Sequence, residues 1–517
     1  MNATDFDADV IIIGSGPAGV SAAFPLVEAG TRVLMMDGAG GDGVAGDDEI
    51  SPWKKMLGRE LQALLPEDGL SPKLRAPTSR RIVGEFQRAG YVRGDGFVAI
   101  GAHARGGLSQ IWGGFVCEFG AEDLAPWPCS VDHLRPSYAA VTERIGVSGS
   151  ATDELSDFYG KSGPILPPLP LGPTAARLFG RYVPGRCGPG FAVGAARNAI
   201  LTADRPGRKA CNLSRDCLWG CRRGAVYDAR FDLAALARHR TFRLVDEALA
   251  VSVTARPGGW DIITGDGRRF CSPRIILAAG TLGTSALVLP LLPNPPRVLR
   301  LLSSPVIAMP LLVPGRLGRA MPKEGYSLAQ LGYRLCTGNS SADYVTGAVY
   351  ELAFLPVASF ANRLPFSYPA GMELLSAVAF ALLVATGYFR GDYSNNTLEW
   401  SQRDGRSLVV VRGGFDVSLP NKVAEVTRRL RRIWRQLGAW MLPGTSLAPP
   451  GTDVHFGGPF AMGLGFAHGT TAYGELHAAP GVFVADGAAF PSLPSKYPTL
   501  TIMANADRIG RHVAARR

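Results

Sequence analysis

Two groups of residues in this chain have the types and spacing for chemistry. The first is Gly14, Gly16 and Gly19 in Asp9-Val-Ile-Ile-Ile-Gly-Ser-Gly-Pro-Ala-Gly19, with the acid Asp37 eighteen residues further on. Gly14 permits a tight turn out of a strand, Gly16 lets the backbone reach a pyrophosphate, and Gly19 lets helix and sheet pack closely. The pyrophosphate then sits on a helix N-terminus, where unpaired N–H groups and the helix dipole favour an anion. Asp37 closes the next apolar stretch, Thr31 to Met36, and is placed to accept hydrogen bonds from an adenosine ribose. The second group is Cys211, Cys217 and Cys221, three thiols within eleven residues. Thiolates are soft ligands, which makes zinc or an iron–sulfur cluster the candidates. A ferredoxin-like run would carry a cysteine where Ser214 stands, and three ligands without a fourth suit a three-iron cluster better than a closed zinc site. Free thiols or a disulfide are the plainer alternatives.

The elements that must position the first group are legible around it. A strand ends at Gly14, and a helix follows that Pro25 should kink or shorten, because proline lacks the N–H and clashes with the preceding turn. Gly106-Gly-Leu-Ser-Gln-Ile-Trp-Gly-Gly114 forms a second glycine loop, with Gly107, Ser109, Trp112 and Gly113 as candidate contacts. Before it, between Asp42 and Ile100, no periodic element is evident. Arg274-Ile-Ile-Leu-Ala-Ala-Gly-Thr-Leu-Gly-Thr284 reads as a buried strand, a glycine turn at Gly280 and a helix from about Ser285. Near the C-terminus Gly481-Val-Phe-Val-Ala-Asp-Gly487 closes another short strand on Asp486 and Gly487. Segments spread over the whole chain thus look built to hold one dinucleotide, on a sheet assembled from both ends.

Composition is compatible with a large enzyme of several domains: 517 residues, 46% of them hydrophobic, with 64 glycines for tight turns. The net charge of +11 is compatible with an acidic partner or a membrane surface, and more simply with a basic but ordinary exterior. Arginines are not interleaved with aromatics in any nucleic-acid module, so nucleic acid is not an expected partner. Met1 to Ala8 is short, polar and acidic, with no leader pattern, which predicts a cytoplasmic protein. Eight unevenly spaced cysteines do not make a disulfide scaffold, and Cys117, Cys129, Cys187, Cys271 and Cys336 read as buried or inert.

Taken together, the N-terminal fingerprint, the Gly106 to Gly114 loop, the Gly280 turn and the tail from His455-Phe-Gly-Gly to Pro498-Thr-Leu-Thr-Ile-Met-Ala-Asn-Ala506 resemble the glucose-methanol-choline oxidoreductases, an FAD-dependent family. The resemblance implies that a histidine deprotonates a hydroxyl whose carbon hands a hydride to the flavin. His455 matches that histidine, and an imidazole suits the role because its ordinary pKa lies near neutrality. His468 is the fallback. The family places an asparagine or a second histidine before the proline of its last motif; here Tyr497 stands there, before Pro498 and Thr499. A phenol can donate a hydrogen bond but cannot copy both functions of an amide. Where some relatives carry a histidine bonded covalently to the flavin, this chain has Ile111, so non-covalent FAD is expected. Val251 is placed near the adenine, and the cysteine segment resembles that of the bacterial FAD glucose dehydrogenases, whose three-iron cluster relays electrons.

These readings predict an α/β fold, α+β overall, with a Rossmann-like FAD-binding domain built from discontinuous segments (1–130, 200–290 and 451–517). A substrate domain (131–199 and 291–450) should contain an antiparallel sheet and helices. Within it, proline-rich breaks at 290–296 and 305–314 interrupt the chain, and the apolar run Leu374 to Ala385 is too short for comfortable spanning. That run predicts a buried or interfacial helix. The segment Val423 to Leu437 is an amphipathic helix with Arg428, Arg429, Arg431, Arg432 and Arg435 around an apolar stripe, read first as a core stripe with a solvated face and second as a membrane-docking face. The function expected is oxidation of an alcohol, of a small molecule, sugar or glycoconjugate, to a carbonyl, with an unassigned electron acceptor. A cluster beside the flavin would favour a dehydrogenase over an oxidase. An isomerase or reductase, or a redox-silent FAD-binding partner protein, are the alternatives.

Overall fold

The computed structural model describes residues 6–39, 74 and 77–516, apart from 216, 320, 321, 339, 356, 362, 363, 404, 405 and 467. Most of the N-terminal segment Met1 to Ala8, and the stretch from Asp42 to residue 73, lie outside the described residues. Past it, the region without a predicted element holds a helix, Pro77–Arg88, and a strand, Val92–Asp95.

The first strand, Val10–Ile13, is apolar at every position and is buried on both faces, as a central parallel strand must be. Beside it lies Val33–Met36 on one side and Ile275–Leu277 on the other, and the sheet continues outward to Phe242–Val245 and Val482–Val484. All neighbours run parallel, with Ile11 opposite Ile275 and Val10 opposite Val33. Five parallel strands among the described residues therefore come from the beginning, middle and end of the chain. The helix Pro17–Glu28 follows the first strand and packs against the terminal helix Thr499–Ala515. Pro25 is accommodated inside it: the helix ends three residues later, and Pro25 packs close to Gly510 of the terminal helix. The helix Val131–Ile145 also packs on the terminal helix, sending Leu134, Tyr138 and Val141 into the same core.

A second large sheet is antiparallel, in the order Trp440–Met441, Val306–Leu312, Leu382–Tyr388, Tyr344–Glu351, Leu331–Cys336, Phe191–Ala195, with Ser446–Leu447 also on Val306–Leu312. Side chains alternate with a period of two. Val345, Val349, Leu383, Ala385 and Phe191 face one way and pack with Val426, Leu430, Ile433 and Trp434 of the helix Leu419–Gln436. The intervening Ala348, Tyr350, Tyr388 and Ala192 face the other way, toward Tyr497, Phe115 and Cys117. One face thus builds a core and the other builds a wall of the site.

Two expectations are corrected here. Pro310 lies inside the strand Val306–Leu312 and does not break it, because it falls between the short partners at 446–447 and 440–441, where no ladder donor is required of it. The apolar run Leu374 to Ala385 is not one helix: the helix Tyr368–Val378 ends in a short turn, and the strand Leu382–Tyr388 takes over, since β-sheet partners on both sides capture it.

Candidate active site

At the fingerprint, glycine is required by close approach. Gly14 has φ +108° and a side chain there would strike the Ala278 carbonyl, while a Cβ on Gly19 would strike the carbonyl of Gly14. The second glycine loop meets the first directly: Gly107, with φ +57°, would place a Cβ 3.2 Å from the Cα of Gly16, and the Gly106 N–H donates to Ser15 Oγ at 3.0 Å. Ser109 accepts from the Ala229 N–H at 2.9 Å and Trp112 Nε1 donates to the Tyr227 carbonyl at 2.8 Å, which fixes the loop against the helix Ala229–Leu236. Among the described residues, a Cβ on Gly16 would meet Gly107 alone within 4 Å, and one on Gly113 or Gly280 would meet nothing. Among the described residues no side chain caps the helices starting at Pro17, Thr281 and Thr499, which leaves the N–H groups of their first turns, Pro17 having none of its own, for a ligand. The helix at Thr281 starts earlier than the expected Ser285, directly after Gly280 with φ +77°.

Asp37 is buried at the end of its strand. It accepts from the Ser15 hydroxyl, from the Ser15 N–H at 3.2 Å and from the Ala39 N–H at 2.8 Å. Burial raises its pKa and these donors pull it back. A carboxylate has lone pairs to spare for a ribose diol. His103 sits nearby, its ring stacked on Tyr91 at 5.7 Å and its charge coupled to Asp37, with burial lowering its pKa. Sequence reasoning passed over His103, which stands in no motif. Asp486 is fully enclosed, caps Gly487–Ala489 through the Ala488 N–H at 3.0 Å, and accepts from Thr284 Oγ1 at 2.6 Å. Burial pushes its carboxyl up to about 6. These groups fit a bound FAD: room beside the glycines, uncapped helix starts for phosphates, and a carboxylate for the ribose. Val251 lies exposed on the strand Ala250–Arg256, and Ala248 and Leu249 before it abut Asp37 and Gly38.

His455 follows Val454, a β-branched residue held at φ +60°, a strained conformation seen at functional sites. The imidazole stacks on Tyr388 at 5.0 Å and meets the edge of Tyr497 at 5.6 Å. Its backbone N–H donates to Asp453, which also receives the Ser304 N–H at 2.9 Å. The next residue ties this segment to the dinucleotide cradle: Thr281 Oγ1 donates to the Phe456 carbonyl at 3.1 Å, and Gly487 lies against that same carbonyl. Tyr497 is 6% exposed, its hydroxyl has no hydrogen-bond partner among the described residues, and burial raises its pKa. Phe115 packs on it at 4.3 Å and Cys117, whose thiol burial pushes up to about 11, lies beneath. Lys496 anchors the same loop, bonding Asp123 at 2.9 Å and the Glu118 carbonyl at 3.0 Å. The next residues, Pro498 and Thr499, open the terminal helix. Tyr388 was missed because a tyrosine in an apolar strand gives no signal until sheet register turns it toward His455. His468 lies elsewhere, stacked on the exposed Phe466.

The cysteines behave differently. Leu213 and Arg215 take φ +60° and +66°, bending the segment, and Cys211, Cys217 and Cys221 pack against Leu169, Ile200, Val226, Tyr326 and Leu328. All three thiols are free, and burial pushes Cys217 up to about 12. Among the described residues no group of three or more His, Cys, Asp or Glu side chains is arranged to hold a metal ion. The expected three-iron cluster gains no support from this packing.

No model of a known protein family matches the chain. Paromamine 6'-oxidase of Streptomyces fradiae is 25% identical over 555 residues, covering 98% of this chain and 91% of that protein. Among solved structures, pyridoxine 4-oxidase from Mesorbium loti superposes with a TM-score of 0.62 at 15% identity, covering 98% of this chain and 99% of that one. The chain therefore shares the fold of that protein over 98% of its length.

Proposed function

We propose that this protein is an FAD-dependent oxidoreductase of the glucose-methanol-choline type that oxidises an alcohol to a carbonyl and passes the electrons to dioxygen. The observation that carries the reading is the stitching of His455 to the dinucleotide cradle through Phe456, Thr281 and Gly487. Both similar proteins are named as oxidases of an alcohol-bearing small molecule, which supports an oxidase, and the ground for a dehydrogenase was a cluster that the cysteine packing does not favour.

Bound FAD supplies the acceptor for the hydride leaving the alcohol carbon. The chain does the rest. His455 takes the hydroxyl proton, and stacking on Tyr388 fixes the plane in which its nitrogens point. Tyr497, with its hydroxyl unpartnered and its ring wedged between Phe115 and Tyr388, donates a hydrogen bond to the substrate oxygen and positions it against His455. The aromatic wall on the antiparallel sheet excludes water from that contact. The FAD-binding part comprises the segments at 1–130, 200–290 and 451–517 and the substrate part the remainder. A small alcohol or a sugar-like primary alcohol is the substrate class.

The test is anaerobic addition of primary alcohols, aminosugars and pyridine methanols among them, to purified holoprotein while the flavin absorbance is followed, then readmission of oxygen. Bleaching followed by peroxide release is the expected result. Stoichiometric flavin that no alcohol bleaches would replace this reading with that of a silent FAD-binding partner. Tyr497→Phe should lower turnover roughly tenfold with flavin content intact, the loss of one substrate hydrogen bond; an unchanged rate removes Tyr497 from the mechanism.

A further inference from the structure

The strand Val306–Leu312 has two ends of opposite character. Val306 pairs with Tyr388, the residue under His455, whereas Leu312 lies six residues on, roughly 20 Å away, and pairs with Trp440. Trp440 is 57% exposed. Beyond Leu312 the chain turns at Pro314–Arg316 and exposes Leu317. The neighbouring helix Tyr368–Val378 buries Met372 and Leu375 against Leu312 and Leu442, and turns Leu374 outward, with Phe366, 55% exposed, just before its start. Four of the twelve exposed large hydrophobics among the described residues therefore gather at this one end.

Arginines flank the Leu317 and Trp440 side of this group. Arg177 lies over Gly315 and Arg181 over Gly438, at the end of the helix Leu419–Gln436, whose outer side carries Arg435. Arg316 donates to Thr174 Oγ1 at 3.3 Å, and Arg319 follows it. Glu373 is the acid beside Leu374 on the exposed side of its helix.

We propose that this end of the antiparallel sheet docks on an anionic membrane surface. Exposed tryptophan, phenylalanine and leucine enter the boundary between headgroups and acyl chains, while a rim of arginines meets lipid phosphates. A free polyanion would use the arginines and leave the apolar side chains in water. A second copy would bring one arginine rim against another across a two-fold axis, like charge on like. Among the described residues no helix is long and apolar enough to cross a membrane, so the contact lies on the surface. The apolar stripe of Leu419–Gln436 is not the inserting face, since it is spent on the core; the helix contributes its basic end alone.

The experiment is sedimentation of the flavin-loaded protein with phosphatidylcholine vesicles, with and without phosphatidylglycerol. Binding to the anionic vesicles alone, weakened by salt, is expected. The double substitution Leu317→Ser with Trp440→Ser should lower partitioning roughly tenfold or more while flavin content and turnover stay as in the parent. Arg181→Glu with Arg435→Glu, a surface change that leaves the apolar side chains in place, should lower it at least as much. The proposal is overturned if neither vesicle sediments the protein, or if the arginine pair alone matters, which would mean a free polyanion. It is equally overturned if light scattering shows a dimer that Trp440→Ser dissociates.

Discussion

The glycine fingerprint and the cysteine segment are both short, dense in reactive residue types and suggestive by spacing, yet the fold treats them in opposite ways. At the fingerprint, a buried parallel strand delivers Gly14 and Gly16 to a helix start, and a second loop from residues 106–107 closes on them. The backbone carries the geometry there, so fixing the backbone fixes the cradle that the proposed cofactor would occupy. At Cys211 to Cys221 no strand or helix among the described residues holds the thiols, and they settle against an apolar satellite core. Burial first, and the neighbouring thiols second, push the Cys217 thiol up to about 12. Spacing specifies a site when the flanking elements orient it, and specifies little when a loop is free to choose packing.

That contrast can be broken most severely at Gly14. Gly14→Ala must relieve both a positive φ and a collision with the Ala278 carbonyl, and should cost on the order of 3 kcal/mol or more. Thermal melting and flavin absorbance of the purified protein would read this as loss of both. His455→Gln should leave melting and flavin content in place and lower the rate of flavin reduction by roughly 10²- to 10⁴-fold, the usual contribution of a general base. If flavin reduction continues unchanged, the base lies elsewhere.

Asp486 gives a pH signature. Its carboxyl rises from 3.8 to about 6 on folding, so the folded state prefers the protonated form. The stabilisation is fully present below the unfolded value and is lost as pH rises through the folded one, on the order of 3 kcal/mol between about pH 4 and pH 7. Denaturant melts of the flavin-free protein should show that slope, and Asp486→Asn should flatten it; parallel curves for the two proteins would contradict the buried-carboxylate account. The smallest effect is expected at the cysteines, where replacing all three by alanine should cost about 1–3 kcal/mol of packing and leave turnover within about twofold. Loss of turnover together with bound iron would restore the cluster.

The substrate wall shows where reading the sequence ran out. Leu374 to Ala385 looks helical because a short apolar run has the same composition in a buried helix as in a buried strand. Sheet partners on both sides decided the matter for Leu382–Tyr388, and the period of two then sent Tyr388 toward His455 while Ala385 went to the opposite core. Pro310 misled for the same reason, since proline is excluded from a strand only where a neighbour needs its N–H.

By itself the sequence determined the strand–glycine–helix turn at Gly14 to Gly19, the two ends of the chain that share its sheet, and His455 with Tyr497 in a common terminal block. These follow from local rules: glycine where the backbone must turn or approach closely, apolar runs for buried parallel strands, and an acid at a strand end. Only the tertiary structure decided that Phe456 meets Thr281, that Tyr388 stacks on His455, that Asp37 acts on the charge of His103 and that the thiols pack against apolar side chains. Each of those depends on register or on the approach of segments far apart in the chain, and such contacts are set by the burial of whole faces rather than by any residue's own preference.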